Sequence, residues 1–143
     1  MLTGEALYDL IPQRPPIVMV DALWSVGTDN AVTGLTIAAD NIFVENGCLR
    51  EAGLIEHIAQ SAAAFSGYDA FSKGLPPRLG YIGEIKQMRI AGLPCVGSRL
   101  TTRLQVVAQA GMVTLMSAKV ECEAPNTEKT VVAECQIKIF MTE

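Results

Sequence analysis

The chain has one histidine, one tryptophan and an aromatic content of only 6%. Its four cysteines (Cys48, Cys95, Cys122 and Cys135) include no CxxC pair and have no histidine at ligand spacing. Zinc and iron–sulfur sites therefore lack their usual ligand sets, and no metal and no cofactor is expected. The cysteines read as reduced and mostly buried, the common state of free thiols. No apolar stretch approaches the roughly 20 residues of a membrane-spanning helix. The opening Met1-Leu2-Thr3-Gly4-Glu5 lacks the basic region and apolar run of a secretory signal. The expectation is a cytoplasmic protein without a membrane partner. Basic excess is missing as well: the net charge of −4 argues against nucleic acid.

What is present fits one domain spanning residues 1–143, half of it apolar and able to fill one core. The charge is uneven. Arg78, Lys86, Arg89, Arg99 and Arg103 face a single acidic residue, Glu84, between Arg78 and Arg103. Such a run is most often a solvated face, and alternatively a docking site for something acidic. Charge alone does not separate the two.

Thr3 to Leu10 reads as a short helix capped by Thr3, and Ile11-Pro12-Gln13-Arg14-Pro15-Pro16 as a break. Ile17–Val26 and Ala31–Ala39 suit strands, joined by turn chemistry at Gly27-Thr28-Asp29-Asn30. Asn41–Arg50 reads as irregular. Glu51–Phe65 is rich in Ala and Leu and apolar on most sides, the pattern of one buried helix, with Gly67 as its stop. The remainder, Leu79–Ile90, Arg99–Gln109, Met112–Glu123 and a last segment about Ala133–Ile139, alternates with period 2, as half-buried antiparallel strands do. Ala110-Gly111 and Ala124-Pro125-Asn126-Thr127 supply turns. These elements predict an α+β arrangement, a long antiparallel sheet wrapped around one helix.

That element order resembles the hotdog fold, and three segments resemble the 3-hydroxyacyl-acyl carrier protein dehydratases. Ile11-Pro12-Gln13-Arg14-Pro15-Pro16-Ile17-Val18-Met19-Val20-Asp21 is similar to that family's Leu-Pro-His-Arg-x-Pro-hydrophobic-Val-Asp signature. Gly53-Leu54-Ile55-Glu56-His57-Ile58-Ala59-Gln60 is similar to the start of its central helix, with Glu-x-x-Ala-Gln. Gly80–Lys86 through Pro94-Cys95-Val96-Gly97-Ser98 is similar to a strand pair ending in a Pro-Gly-Asp turn. The resemblance implies elimination of water from a 3-hydroxyacyl thioester carried by acyl carrier protein or coenzyme A. It also implies a homodimer or larger assembly, or a heterodimer with another hotdog subunit, that closes the site and covers the sheet edge.

Dehydration needs a base for the proton alpha to the carbonyl, an acid for the departing hydroxide and donors for the thioester oxygen. In the resembled family a histidine and the helix glutamate divide the proton work across a dimer interface. The resemblance assigns the glutamate's role to Glu56, which burial would suit to acid catalysis by raising its pKa. A first-turn glutamate favoured by the helix dipole is the simpler reading of the residue alone. Gln60, one turn on, either orients the carboxylate or makes a packing hydrogen bond, and Gly53 falls among the helix-start positions assigned to substrate binding. The resemblance aligns Gln13 with the histidine of the first signature, so on that alignment the catalytic histidine is missing and Gln13 can only hydrogen-bond substrate. The family's Gly-His-Phe-Pro loop is also absent, with Glu45–Arg50 in its place. His57 neighbours Glu56 in sequence but points about 100° away on a helix, and reads as a structural, hydrogen-bonded residue. Three readings remain open: a dehydratase in which Glu56 makes both proton transfers, directly or through water; a hotdog thioesterase using Glu56 alone; and a non-catalytic acyl-binding subunit, such as the degenerate half of a heterodimer.

Overall fold

The computed structural model describes residues 1–76 and 80–141. Seven strands form one antiparallel sheet in the order β1-β2-β3-β7-β8-β9-β6. They are β1 (Leu2–Thr3), β2 (Ala22–Val26), β3 (Asn30–Thr36), β6 (Gly80–Ile90), β7 (Arg99–Ala110), β8 (Val113–Glu123) and β9 (Thr130–Met141). A separate small hairpin pairs β4 (Val44–Glu45) with β5 (Cys48–Leu49), and the helix α1 (Glu51–Ser72) lies across the sheet. The α+β arrangement expected of the sequence is the one found.

Alternation explains the sheet. Leu100 and Leu104 of β7, Met116, Ala118 and Val120 of β8, and Ala133, Cys135, Ile137 and Ile139 of β9 are all buried. They meet Leu54, Ile58, Ala62 and Phe65 of α1 in one core. Because the side-chain period of a strand is 2, a one-residue slip would send this whole set to solvent, and burial of one face thus fixes the register. The two ends of the sheet are less protected. β6 is an edge strand, with Tyr81 60% and Ile82 37% exposed.

Several expected boundaries move. Thr3–Leu10 is a 3-10 helix over Gly4–Asp9, and Thr3 makes no side-chain cap. The first strand begins at Ala22, not Ile17, and the second ends at Thr36. Leu79 and Arg78 lie outside the described residues. The helix runs seven residues past Phe65, and Gly67 is not its stop. A Cβ at Gly67 would come 2.5 Å from the carbonyl oxygen of Leu10, so this glycine lets the Leu10 backbone cross the helix closely. The stop is Gly74, at φ +69. Its N–H donates to Phe71 O (3.0 Å) and that of Leu75 to Ala70 O (2.9 Å), the bond pair of a Schellman motif.

Candidate active site

The segment before α1, read as irregular, contains a two-residue hairpin. Asn46 (φ 55) and Gly47 (φ 80) both take the left-handed region, as a type I′ turn requires, and Asn-Gly is the strongest short sequence signal for it. The hairpin sits on the first turn of α1. A Cβ at Gly53 would lie 2.6 Å from Leu49 Cδ1 and 2.7 Å from Phe43 Cβ, so Gly53 is what permits this packing. Its N–H is donated to Arg50 O (2.9 Å), as is that of Leu54 (3.2 Å). Among the described residues the N–H groups of Glu51 and Ala52 have no such partner.

Gln60 organises the next turn. It is fully buried and uses both ends of its amide. Its Oε1 accepts from Met19 N (2.6 Å), while its Nε2 donates to Ile17 O (2.9 Å) and to Glu56 Oε1 (2.9 Å). Gln60 therefore hydrogen-bonds the Glu56 carboxylate and at the same time staples the Ile17–Met19 segment to the helix. His57 completes the staple from the neighbouring face. Its Nδ1 donates to Met19 O (2.6 Å), which leaves Nε2 to accept from the Thr102 hydroxyl (2.7 Å). Burial lowers its pKa to about 4, against a smaller opposing effect of the Met19 bond. A neutral, enclosed, doubly bonded imidazole is a structural group, as expected of it.

Glu56 is only partly buried, not enclosed as the sequence suggested. It begins a stripe of half-exposed positions on α1, followed by Ala59, Ala63 and Ser66, whose spacings of 3, 4 and 3 keep them on one face. The later members line a cavity of about 380 Å³ between α1, the segment before β2, and the strands β6 and β9. Leu10, Ile11, Ile82 and Ile139 make its walls apolar, and Gln13 also lines it. Gln13 Oε1 is buried with no hydrogen-bond partner. Arg14 holds this segment in place, donating to Tyr8 O, Ile11 O and Gln13 O and stacking 4.5 Å over the Tyr8 ring. A larger depression of about 660 Å³ lies under the C-terminal half of α1, beside Phe65, Tyr68 and Asp69, away from Glu56.

The basic run is largely neutralised. Lys86 pairs with Glu84 (3.7 Å), Arg89 with Glu134 (2.9 Å) and Arg103 with Glu121 (3.0 Å), all at the surface, which favours the solvated-face reading; Arg78 lies outside the described residues. Two of the cysteines depart from expectation: Cys122 and Cys135 are buried, but Cys48 is intermediate and Cys95 exposed. No group of metal-ligating side chains occurs among the described residues, and no described helix is long and apolar enough to cross a membrane.

A long antiparallel sheet around one helix defines a hotdog-fold protein. The chain belongs to the ApeP-like family, described as ApeP dehydratase, whose model matches residues 5–143. Among solved structures it is similar to the dehydratase heterocomplex ApeI:P from Xenorhabdus doucetiae, at 17% identity and TM-score 0.85, covering 100% of this chain and 93% of that one. It is also similar to a hypothetical thioesterase with coenzyme A from Streptococcus pneumoniae TIGR4, at 14% identity and TM-score 0.64 over 84% of each chain. The PaaI protein of the E. coli phenylacetic acid degradation operon matches at 17% identity and TM-score 0.62, over 83% of this chain and 81% of that one. No curated protein matches by sequence.

Proposed function

We propose that the chain is one half of a composite 3-hydroxyacyl-thioester dehydratase site, in which Glu56 handles a proton and a second hotdog subunit supplies the complementary acid–base group. The observation that carries this is the α1 stripe, which leads from a carboxylate held by Gln60 into an apolar cavity. An acyl chain lying along Ala59 and Ala63 would bring its thioester end toward Glu56 and the N–H groups of Glu51 and Ala52. Those donors at a helix N-terminus suit a carbonyl gaining negative charge.

Dehydration needs two proton-handling groups, and this half offers one. Gln13 does not titrate. The only histidine, His57, is enclosed and neutral. A second chain docked at the exposed β6 edge would cover Tyr81 and Ile82 and reach the half-open face of Glu56. The similarity to a dehydratase heterocomplex supports a non-identical partner. The thioester carrier is acyl carrier protein or coenzyme A.

The test follows enoyl product and free thiol in parallel, on 3-hydroxyacyl thioesters of both carriers, with the chain alone and with a histidine-bearing hotdog subunit. The complex should dehydrate and the isolated chain should not. Glu56→Gln should cut the rate of the complex at least 100-fold, in the ~10²–10⁴ range of general acid–base help. Glu56-dependent thiol release by the isolated chain would replace this reading with a thioesterase.

A further inference from the structure

The hairpin on the start of α1 is held from its other side by the turn after β6. Leu49 N donates to Pro94 O (2.7 Å) and Val96 N to Gly47 O (2.9 Å), which makes Cys48 and Cys95 antiparallel bridge partners. The two bonds flank the pair instead of joining it, so Cys48 and Cys95 occupy a non-hydrogen-bonded site. At such a site the Cα atoms stand about 4.5 Å apart and the side chains lie on one face at closest approach. That separation falls inside the roughly 4.4–6.8 Å a disulfide spans. Both flanks are fixed: Asn46-Gly47 turns on one side, and on the other Gly97 (φ 93) closes a turn in which Ser98 N donates to Cys95 O (3.0 Å).

We propose that Cys48 and Cys95 are a redox-reactive thiol pair, converted by low-molecular-weight disulfides into an intrachain disulfide that staples the β4–β5 hairpin to the Pro94–Ser98 turn beside the first turn of α1. The exposed Cys95, as thiolate, attacks the small disulfide RSSR and releases one RS⁻, forming a mixed disulfide. Cys48 loses its proton and displaces the second RS⁻. Two thiols of the protein are oxidised, one disulfide is reduced to two RSH, and both protons end on the RSH molecules. The Cys48 thiol is raised, chiefly by hydrogen bonding with Cys95 and then by burial and the Cys95 charge, with Arg50 opposing. Cys122 is the rival partner for Cys95, since the two lie close enough to interact electrostatically. It is buried, not a bridge partner of Cys95, and its thiol is raised mainly by burial, all of which disfavour attack.

The test incubates the native full chain with mixtures of reduced and oxidised glutathione and maps the products by intact mass and non-reducing peptide analysis. The expected product lacks two hydrogens, carries no glutathione and joins the Cys48 and Cys95 peptides. Cys122→Ser and Cys135→Ser should form it as the parent does, whereas Cys48→Ser should stop at a glutathione adduct on Cys95. Oxidation should raise the Tm of the parent by roughly 5–10 °C and leave that of Cys48→Ser unchanged. A Cys95–Cys122 bond, a disulfide between two chains, or a parent that stops at the glutathione adduct would each overturn the proposal.

Discussion

Replacing Gln60 with leucine separates the two tasks of its amide. Leucine fills nearly the same volume but offers neither donor nor acceptor, so three bonds disappear together. They are not equivalent. Met19 is fully buried, and its N–H would be left without a partner, a loss of about 1–3 kcal/mol. Ile17 is exposed, so water can replace the bond to its carbonyl at little cost. Glu56 is half-open and is solvated in the same way. The apolar gain of leucine offsets about 1 kcal/mol. The sum is a destabilisation of about 1 kcal/mol, or a fall in Tm of roughly 3 °C for a domain of this size.

Activity should fall independently, because Glu56 loses the group that fixes its rotamer. The comparison variant is Glu56→Gln, whose amide oxygen still accepts from Gln60. It should leave urea stability within about 0.5 kcal/mol of the parent while abolishing turnover. Urea titration gives the first quantity, and turnover per folded molecule in the complex gives the second. If Gln60→Leu keeps the parent midpoint, the bond to Met19 does not hold the segment. If it unfolds early but turns over normally where folded, Gln60 does not orient Glu56.

Three further outcomes follow from the packing. His57 has a folded pKa of about 4 against an ordinary 6.5, so the unfolded chain binds the extra proton. Stability should therefore fall as pH drops from about 6.5 to about 4, by about 3 kcal/mol in all from this group. His57→Gln, which can still bridge Met19 O and Thr102, should show a shallower dependence in urea titrations across that window, and an unchanged slope would refute the assignment. Gly67→Ala gains helix propensity of about 1 kcal/mol but drives a methyl against Leu10 O. It should lower stability by about 1–2 kcal/mol net, and equal or higher Tm would mean that the crossing is loose. Gly47→Val, which forces a β-branched residue to φ 80, should cost about 1–3 kcal/mol and shift the Asn46-Gly47 amide resonances in NMR spectra; an unperturbed hairpin would show that the turn is not type I′.

The sheet was legible because one buried face imposes a strict period. Leu100, Leu104, Met116, Ala118, Ile137 and Ile139 alternate with polar residues, and no other register buries them all. The helix was legible for its composition but not for its end. Gly67 and Gly74 look alike in sequence, and only the Leu10 backbone passing over α1 tells a packing glycine from a terminating one. Asn46-Gly47 was the signal overlooked, and with it the hairpin that brings Cys48 opposite Cys95. The site divides along the same line. Glu56 and Gln60 share a helix face, and their four-residue spacing foreshadowed the hydrogen bond between them. The attachment of Gln60 and His57 to Met19 joins residues about forty positions apart and leaves no periodic trace. It bears on the proposed function: the residue that holds Glu56 also anchors the chain between the cavity wall and β2. A substitution that loosens Ile17–Met19 therefore disturbs the carboxylate through Gln60, and the cavity wall through Gln13, in a single event. In the proposed half-site the fold itself would keep Glu56 in place, and the complementary group and the cover over β6 would come from the second subunit.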